Sequence, residues 1–189
     1  MRHKYETRGI VLSRSPLGEA SAFVTLLTSE LGVVRVRAQG VRVPGAKLAP
    51  ALTTFTENSI VLIRGKEGWR LAGAVLEENW FRRLPHTDAR RRAARISGFL
   101  LRLVAGEVHD PQLFPIVKGF LQSLSVLPDK MHEAAEVLAA LRILAALGLD
   151  RGKIPGEVEI FTESLLATTI ENRADYIARI NHGIAASDL

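Results

Sequence analysis

The chain has 189 residues, 47% apolar and 24% charged, with a formal net charge of +5; that composition is of a folded globular protein with a real core and excludes a disordered or fibrous one. There is no cysteine, which excludes disulfide frameworks, thiolate zinc sites, iron–sulfur clusters and a cysteine nucleophile. No apolar run reaches a membrane-spanning length, since the longest (Ala134–Leu149) is broken by Glu136 and Arg142; the N-terminus also lacks an apolar segment, so no membrane partner and a cytoplasmic location are expected.

Up to about residue 80, short runs of Val, Thr and Leu are separated by turn signals: Ser15-Pro16-Leu17-Gly18, Leu31-Gly32, Pro44-Gly45 and Gly65-Lys66-Glu67-Gly68. They leave five strands, at about 5–14, 22–28, 33–40, 55–64 and 69–77. In the third, Val34, Val36 and Ala38 alternate with Arg35, Arg37 and Gln39, the period of a strand with one face on a core. The fourth and fifth form a hairpin closed by the Gly65–Gly68 turn. Strands this closely spaced leave no room for parallel crossovers, so the region reads as a small antiparallel barrel or sheet; a five-stranded oligonucleotide/oligosaccharide-binding (OB) barrel is one such solution.

After residue 80 the chain reads as helices. Thr87 caps the first, whose stripe is Ala89, Ala93, Ile96, Leu100, Leu103 and Val104, with Arg91, Arg95 and Arg102 opposite. A second starts at Asp110-Pro111 and buries Leu113, Val117, Phe120, Leu121 and Leu124. The third, from about Asp129 to Leu147, stops at Gly148 and is apolar on most sides, as befits the centre of a bundle. The remainder forms one long or two shorter helices, with faces marked by Val158, Phe161 and Leu165 and by Tyr176, Ile177, Ile180 and Ile184. The fold class expected is α+β: a five-stranded antiparallel barrel over residues 1–80, then an all-α bundle over 81–189.

Catalytic signals are lacking. His3, His86, His109, His132 and His182 are scattered along the sequence without helical pair spacing or a clustered acidic partner, and His109-Asp110 reads better as a helix cap than as a metal pair. Gly40–Lys47 is not a phosphate loop, because Ala46 separates Gly45 from Lys47 and Leu48 stands where Ser or Thr belongs. No catalytic residue, metal ligand or cofactor is assigned, and the chain is not expected to be an enzyme.

Charge is distributed unevenly: residues 1–84 carry +6, 85–130 carry +3 and 131–189 carry −4. If the barrel is of the OB kind, its ligand face takes Arg35 and Arg37 from the third strand, Arg14 from the first loop, Lys66 from the last hairpin, and Arg42 and Lys47 from the Pro-Gly loop. These six cations make a track suited to phosphates; a merely solvated strand face is the competing reading. Phe23, Phe55 and Trp69 are the candidate stacking platforms, each equally placed to be core.

Tyr5-Glu-Thr-Arg-Gly-Ile-Val-Leu, Leu17-Gly-Glu-Ala, Val24-Thr-Leu-Leu-Thr-Ser-Glu-Leu-Gly, Val33-Val-Arg-Val-Arg-Ala-Gln-Gly-Val-Arg and Leu48-Ala-Pro-Ala-Leu-Thr-Thr-Phe together resemble the N-terminal domain of the bacterial RecO family over about residues 5–80. The resemblance implies an OB-fold domain followed by a helical one. It implies non-enzymatic work in DNA repair and recombination: binding single-stranded DNA, annealing strands and assisting recombinase loading, with RecR and single-strand DNA-binding protein as partners. Family members usually carry Lys where this chain has Gln39, and further basic residues at Val43 and Gly45. Many also carry a four-cysteine zinc module after the helix that ends here at Leu147-Gly148; with no cysteine, this chain is expected to hold no zinc. A protein–protein adaptor with a weakly DNA-binding barrel and an RNA-binding OB protein are the alternatives.

Overall fold

The computed structural model describes residues 3–104 and 110–187. They divide into two compact units, a β-unit running to Phe81 and joined by a short later segment ending at Phe114, and a helical unit comprising the rest. No helix among the described residues is long and apolar enough to cross a membrane.

The β-unit is a closed barrel of β1 (Lys4–Leu17), β2 (Ser21–Thr28), β3 (Gly32–Ala38), β4 (Thr56–Gly65) and β5 (Gly68–Asn79), in the spatial order β1-β2-β3-β5-β4. Alternation drives it: Val24 and Leu26 of β2, Val34, Val36 and Ala38 of β3, and Ile60 and Leu62 of β4 fill one core with Val11 and Leu71. The long first strand serves both neighbours, pairing residues 4–10 with β4 and 9–17 with β2, and a bulge between Val11 and Ser13 bends it from one to the other.

One seam departs from the all-antiparallel expectation. With an odd number of strands, alternation of direction cannot be kept round a closed ring, so one neighbouring pair must run parallel. That pair is β3 with β5, joined only through Val36–Trp69 and Arg37–Arg70. The only buried carboxylate of β4, Glu57, is paired with Arg8 and accepts from the Trp80 indole N–H at 3.3 Å, so its charge is not left uncompensated.

The helices are a short α1 (Trp80–Arg83), then α2 (Thr87–Leu103), α3 (Leu113–Val126), α4 (His132–Ala146), α5 (Glu163–Glu171) and α6 (Arg173–Ala186). Of the α2 stripe, Ala89, Ala93, Ile96, Leu100 and Val104 are buried and Leu103 is half-buried, while Arg91, Arg95 and Arg102 are exposed; the cap, however, is His86 rather than Thr87: its imidazole Nδ1 accepts from the Ala89 N–H at 3.3 Å. Likewise α3 starts at Leu113, after a turn in which the Asp110 carboxylate accepts from the Gln112 N–H. Helix α4 is central, packing on α2, α5 and α6 within the helical unit, with Leu138, Leu141 and Leu144 wholly buried.

Val158 and Phe161 belong to no helix. Residues 150–162 form an irregular segment, and α5 begins only after it, capped by Thr162 and burying Leu166 and Thr169. Arg142 explains the segment's course. Buried on α4, its guanidinium donates to the carbonyls of Val158, Ile160 and Pro155 at 3.0, 2.8 and 3.1 Å and lies 4.7 Å from the Phe161 ring centroid. Burial pulls its pKa down to about 10, leaving it charged at neutral pH. From α3, Gly119 allows the same segment to approach so closely that an added Cβ would lie 2.2 Å from the Glu159 carbonyl oxygen.

Candidate nucleic-acid interface

The core alternation of β3 sends Arg35, Arg37 and Gln39 outward, beside half-buried Phe23 of β2. The β4–β5 hairpin turns in two residues, Lys66 and Glu67, with Gly68 at φ 103°. It brings Ile63, Arg64, Trp69 and Arg70 alongside. Together these elements line an open groove of about 940 Å³. Five of its lining residues are cations (Arg35, Arg37, Arg64, Lys66 and Arg70) against the single carboxylate of Glu67.

Each aromatic ring of the groove lies under a guanidinium: Arg35 sits 4.2 Å from the Phe23 centroid and Arg64 4.8 Å from that of Trp69. Tyr5 meets Trp69 edge-on at 5.1 Å, and part of the indole packs on the barrel core. Phe55 is no platform; it is buried at a backbone turn with φ 65°.

Of the six cations read from the sequence, the groove gathers Arg35, Arg37 and Lys66. Arg14 lies within β1, not in a loop, and its guanidinium donates to the Val41 carbonyl at 3.3 Å. Arg42 donates to the Gly18 carbonyl while its backbone N–H bonds the Ala20 carbonyl at 3.0 Å, tying the loop after β3 to the β1–β2 turn. Lys47 stands exposed farther along that loop. Arg64 and Arg70 are the additions. Counting by twos from core residue Leu62 assigns Arg64 to the interior; it escapes because β4 has there reached the end of the barrel, two residues before the turn. Arg70 was legible, since it precedes core residue Leu71 and so takes the opposite face.

The histidines are not all scattered in space. His86, before α2, and His132, at the start of α4, have ring centroids 5.8 Å apart, and His86 Nε2 lies 2.7 Å from an Asp129 carboxylate oxygen. Sequence spacing hid this cluster because 46 positions separate the two rings. His109 lies outside the described residues.

Residues 1–76, which hold all five strands but the last three residues of β5, match the family described as Recombination protein O N terminal. Among curated relatives, the DNA repair protein RecO of Gloeobacter violaceus is 30% identical over 147 residues, covering 77% of this chain and 56% of that protein. RecO of Cyanothece sp. (strain PCC 7425) is 28% identical over 141 residues, 75% of this chain and 46% of that one. RecO of Desulforudis audaxviator is 26% identical over 166 residues, 88% and 57% respectively. The barrel belongs to the RecO N-terminal family, and the chain is similar to RecO proteins over most of its length. Its barrel is the RecO N-terminal OB fold, and alignments covering 75–88% of the chain carry the likeness on into the helices. The chain spans about half the length of the curated RecO relatives it matches.

Proposed function

We propose that this chain works in DNA repair and recombination as a non-enzymatic mediator that binds single-stranded DNA along the β2–β3–hairpin groove. Annealing of complementary strands and recombinase loading, with RecR and single-strand DNA-binding protein as partners, belong to the same proposal. The observation that carries it is the groove itself, in which five cations flank two aromatic rings on one face of an OB barrel. Cations track a phosphate backbone and rings accept unstacked bases, whereas paired bases offer no such faces. Phosphate contacts carry no base identity, so the affinity contributed by the cations is independent of sequence.

The test is a titration with single-stranded DNA, duplex DNA and structured RNA at several salt concentrations. Single strands should bind tightest, and each phosphate contact contributes about −0.7 to the slope of log affinity against log salt. Replacing Arg35 and Arg37 together by Ala should flatten that slope by up to about 1.4 while the protein stays folded, their side chains lying off the core face. An unaltered slope and affinity in the double variant would transfer the proposal to the adaptor reading; preference for structured RNA would transfer it to an RNA-binding OB protein.

A further inference from the structure

We infer that His86, Asp129 and His132 form a binding site for a divalent transition-metal ion of the zinc class, in the helical unit and apart from the barrel groove. One ligand atom from each residue lies within 4.8 Å of the others. His86 Nε2 is 2.7 Å and His132 Nδ1 3.9 Å from the same Asp129 oxygen, Oδ1. Donor atoms around a tetrahedral zinc ion stand about 3.3 Å apart for bonds of about 2.0 Å, and the observed separations bracket that figure.

The second observation is the state of His132. Its ring is 1% exposed, and Nε2 lies 3.0 Å from the Leu127 carbonyl, a partner only an N–H can satisfy. The neutral ring therefore carries its lone pair on Nδ1. That atom is buried, has no hydrogen-bond partner, and faces the Asp129 carboxylate, itself an acceptor. A buried lone pair turned toward an anion is unfavourable unless a cation stands between them. The Leu127 carbonyl also fixes the tautomer that a metal needs, as the outer partner of a ligating histidine does.

His86 completes the set at a cost. Its Nδ1 now accepts from Ala89, so Nε2 carries the proton donated to Asp129. An ion takes that proton's place, and the proton shifts to Nδ1 at the expense of the long Ala89 contact. Two imidazoles and one carboxylate suit zinc, cobalt or nickel and do not suit magnesium or calcium, which demand all-oxygen shells. Asp129 is largely exposed, leaving a fourth position to solvent. The site gives the cysteine-free chain a metal staple between the start of α2 and the start of α4.

The experiment is thermal unfolding and calorimetric titration of the untagged full chain with zinc chloride, then cobalt chloride, with magnesium chloride as control. One zinc per chain should bind and raise Tm, cobalt should do the same, and magnesium should not. His132→Ala risks the fold, so the informative variants are Asp129→Asn, at an exposed position, and His86→Asn, which keeps a side chain able to cap α2. Each should match the metal-free parent in Tm and lose the zinc-dependent rise. No zinc-dependent rise in the parent, an equal rise with magnesium, or a rise that survives in both variants would overturn the inference.

Discussion

The Arg35 guanidinium, on the β3 residue paired with Thr25, reaches diagonally across the β2–β3 ladder to cover the ring of Phe23 at 4.2 Å from the ring centroid. The pair offers one exposed planar surface on which a base can stack and one charge that a phosphate can reach. The two contributions are separable by their salt dependence. Phe23→Ala should weaken single-strand binding by about 1–3 kcal/mol, as loss of a stacking platform does, with the salt slope unchanged. Arg35→Ala should flatten the slope by about 0.7. Fluorescence titrations at three or more salt concentrations resolve the two; a slope change in the Phe23 variant would refute the division of roles.

Arg42 should behave differently from the groove arginines. Its guanidinium is committed to the Gly18 carbonyl and holds the loop after β3 against the β1–β2 turn. Arg42→Ala is expected to leave the salt slope within error of the parent while speeding proteolysis of the loop at residues 42–49. A slope reduced by about 0.7 would put Arg42 on the phosphate track after all.

Two glycine-to-alanine changes in helices should act with opposite signs. At Gly119 the new methyl meets the Glu159 backbone, which cannot withdraw without disturbing the bonds to Arg142, and a loss of about 1–3 kcal/mol is expected. At Gly98, inside α2, nothing lies within 4 Å of the added carbon, and the gain in helix propensity should stabilise by about 0.5–1 kcal/mol. Denaturant unfolding of both variants settles the signs.

Within α4 two neighbours test two kinds of burial. Leu141 is fully enclosed, and Leu141→Ala should cost about 2–5 kcal/mol through the cavity it leaves. Arg142→Met keeps the bulk but strands three carbonyls at about 1–3 kcal/mol apiece, less whatever the irregular segment recovers by opening to water. Arg142→Met should therefore cost as much as Leu141→Ala despite the conserved volume. It should also expose residues 150–162 to proteolysis, which the leucine variant should not.

The strands were legible from short apolar runs between Gly- and Pro-marked turns and, in β3 and β4, from core residues at every second position; Val34, Val36 and Ala38 with their intervening arginines are the clearest case. The face of the groove followed from the same parity. Two things were not legible. Residues 150–162 take their path from a distant guanidinium and a distant glycine, and neither Arg142 nor Gly119 announces a partner in its own neighbourhood of the sequence. The His86–Asp129–His132 cluster depends on which helix starts meet, information that a one-dimensional pattern does not contain. Arg64 failed for a third reason: periodicity assumes an endless strand, and a barrel has ends.

The parallel seam between β3 and β5 rests on two residue pairs, whereas every other neighbouring pair of strands shares at least seven. It is the joint at which the cylinder is easiest to unzip, and the groove runs directly over it, with Arg35 and Arg37 on one lip and Trp69 and Arg70 on the other. A bound polyanion that grips both lips acts as a suture. Occupancy and closure are then thermodynamically linked, so amide hydrogens at Val36, Arg37, Trp69 and Arg70 should exchange more slowly as the groove fills, and those of the β1–β2 ladder should not.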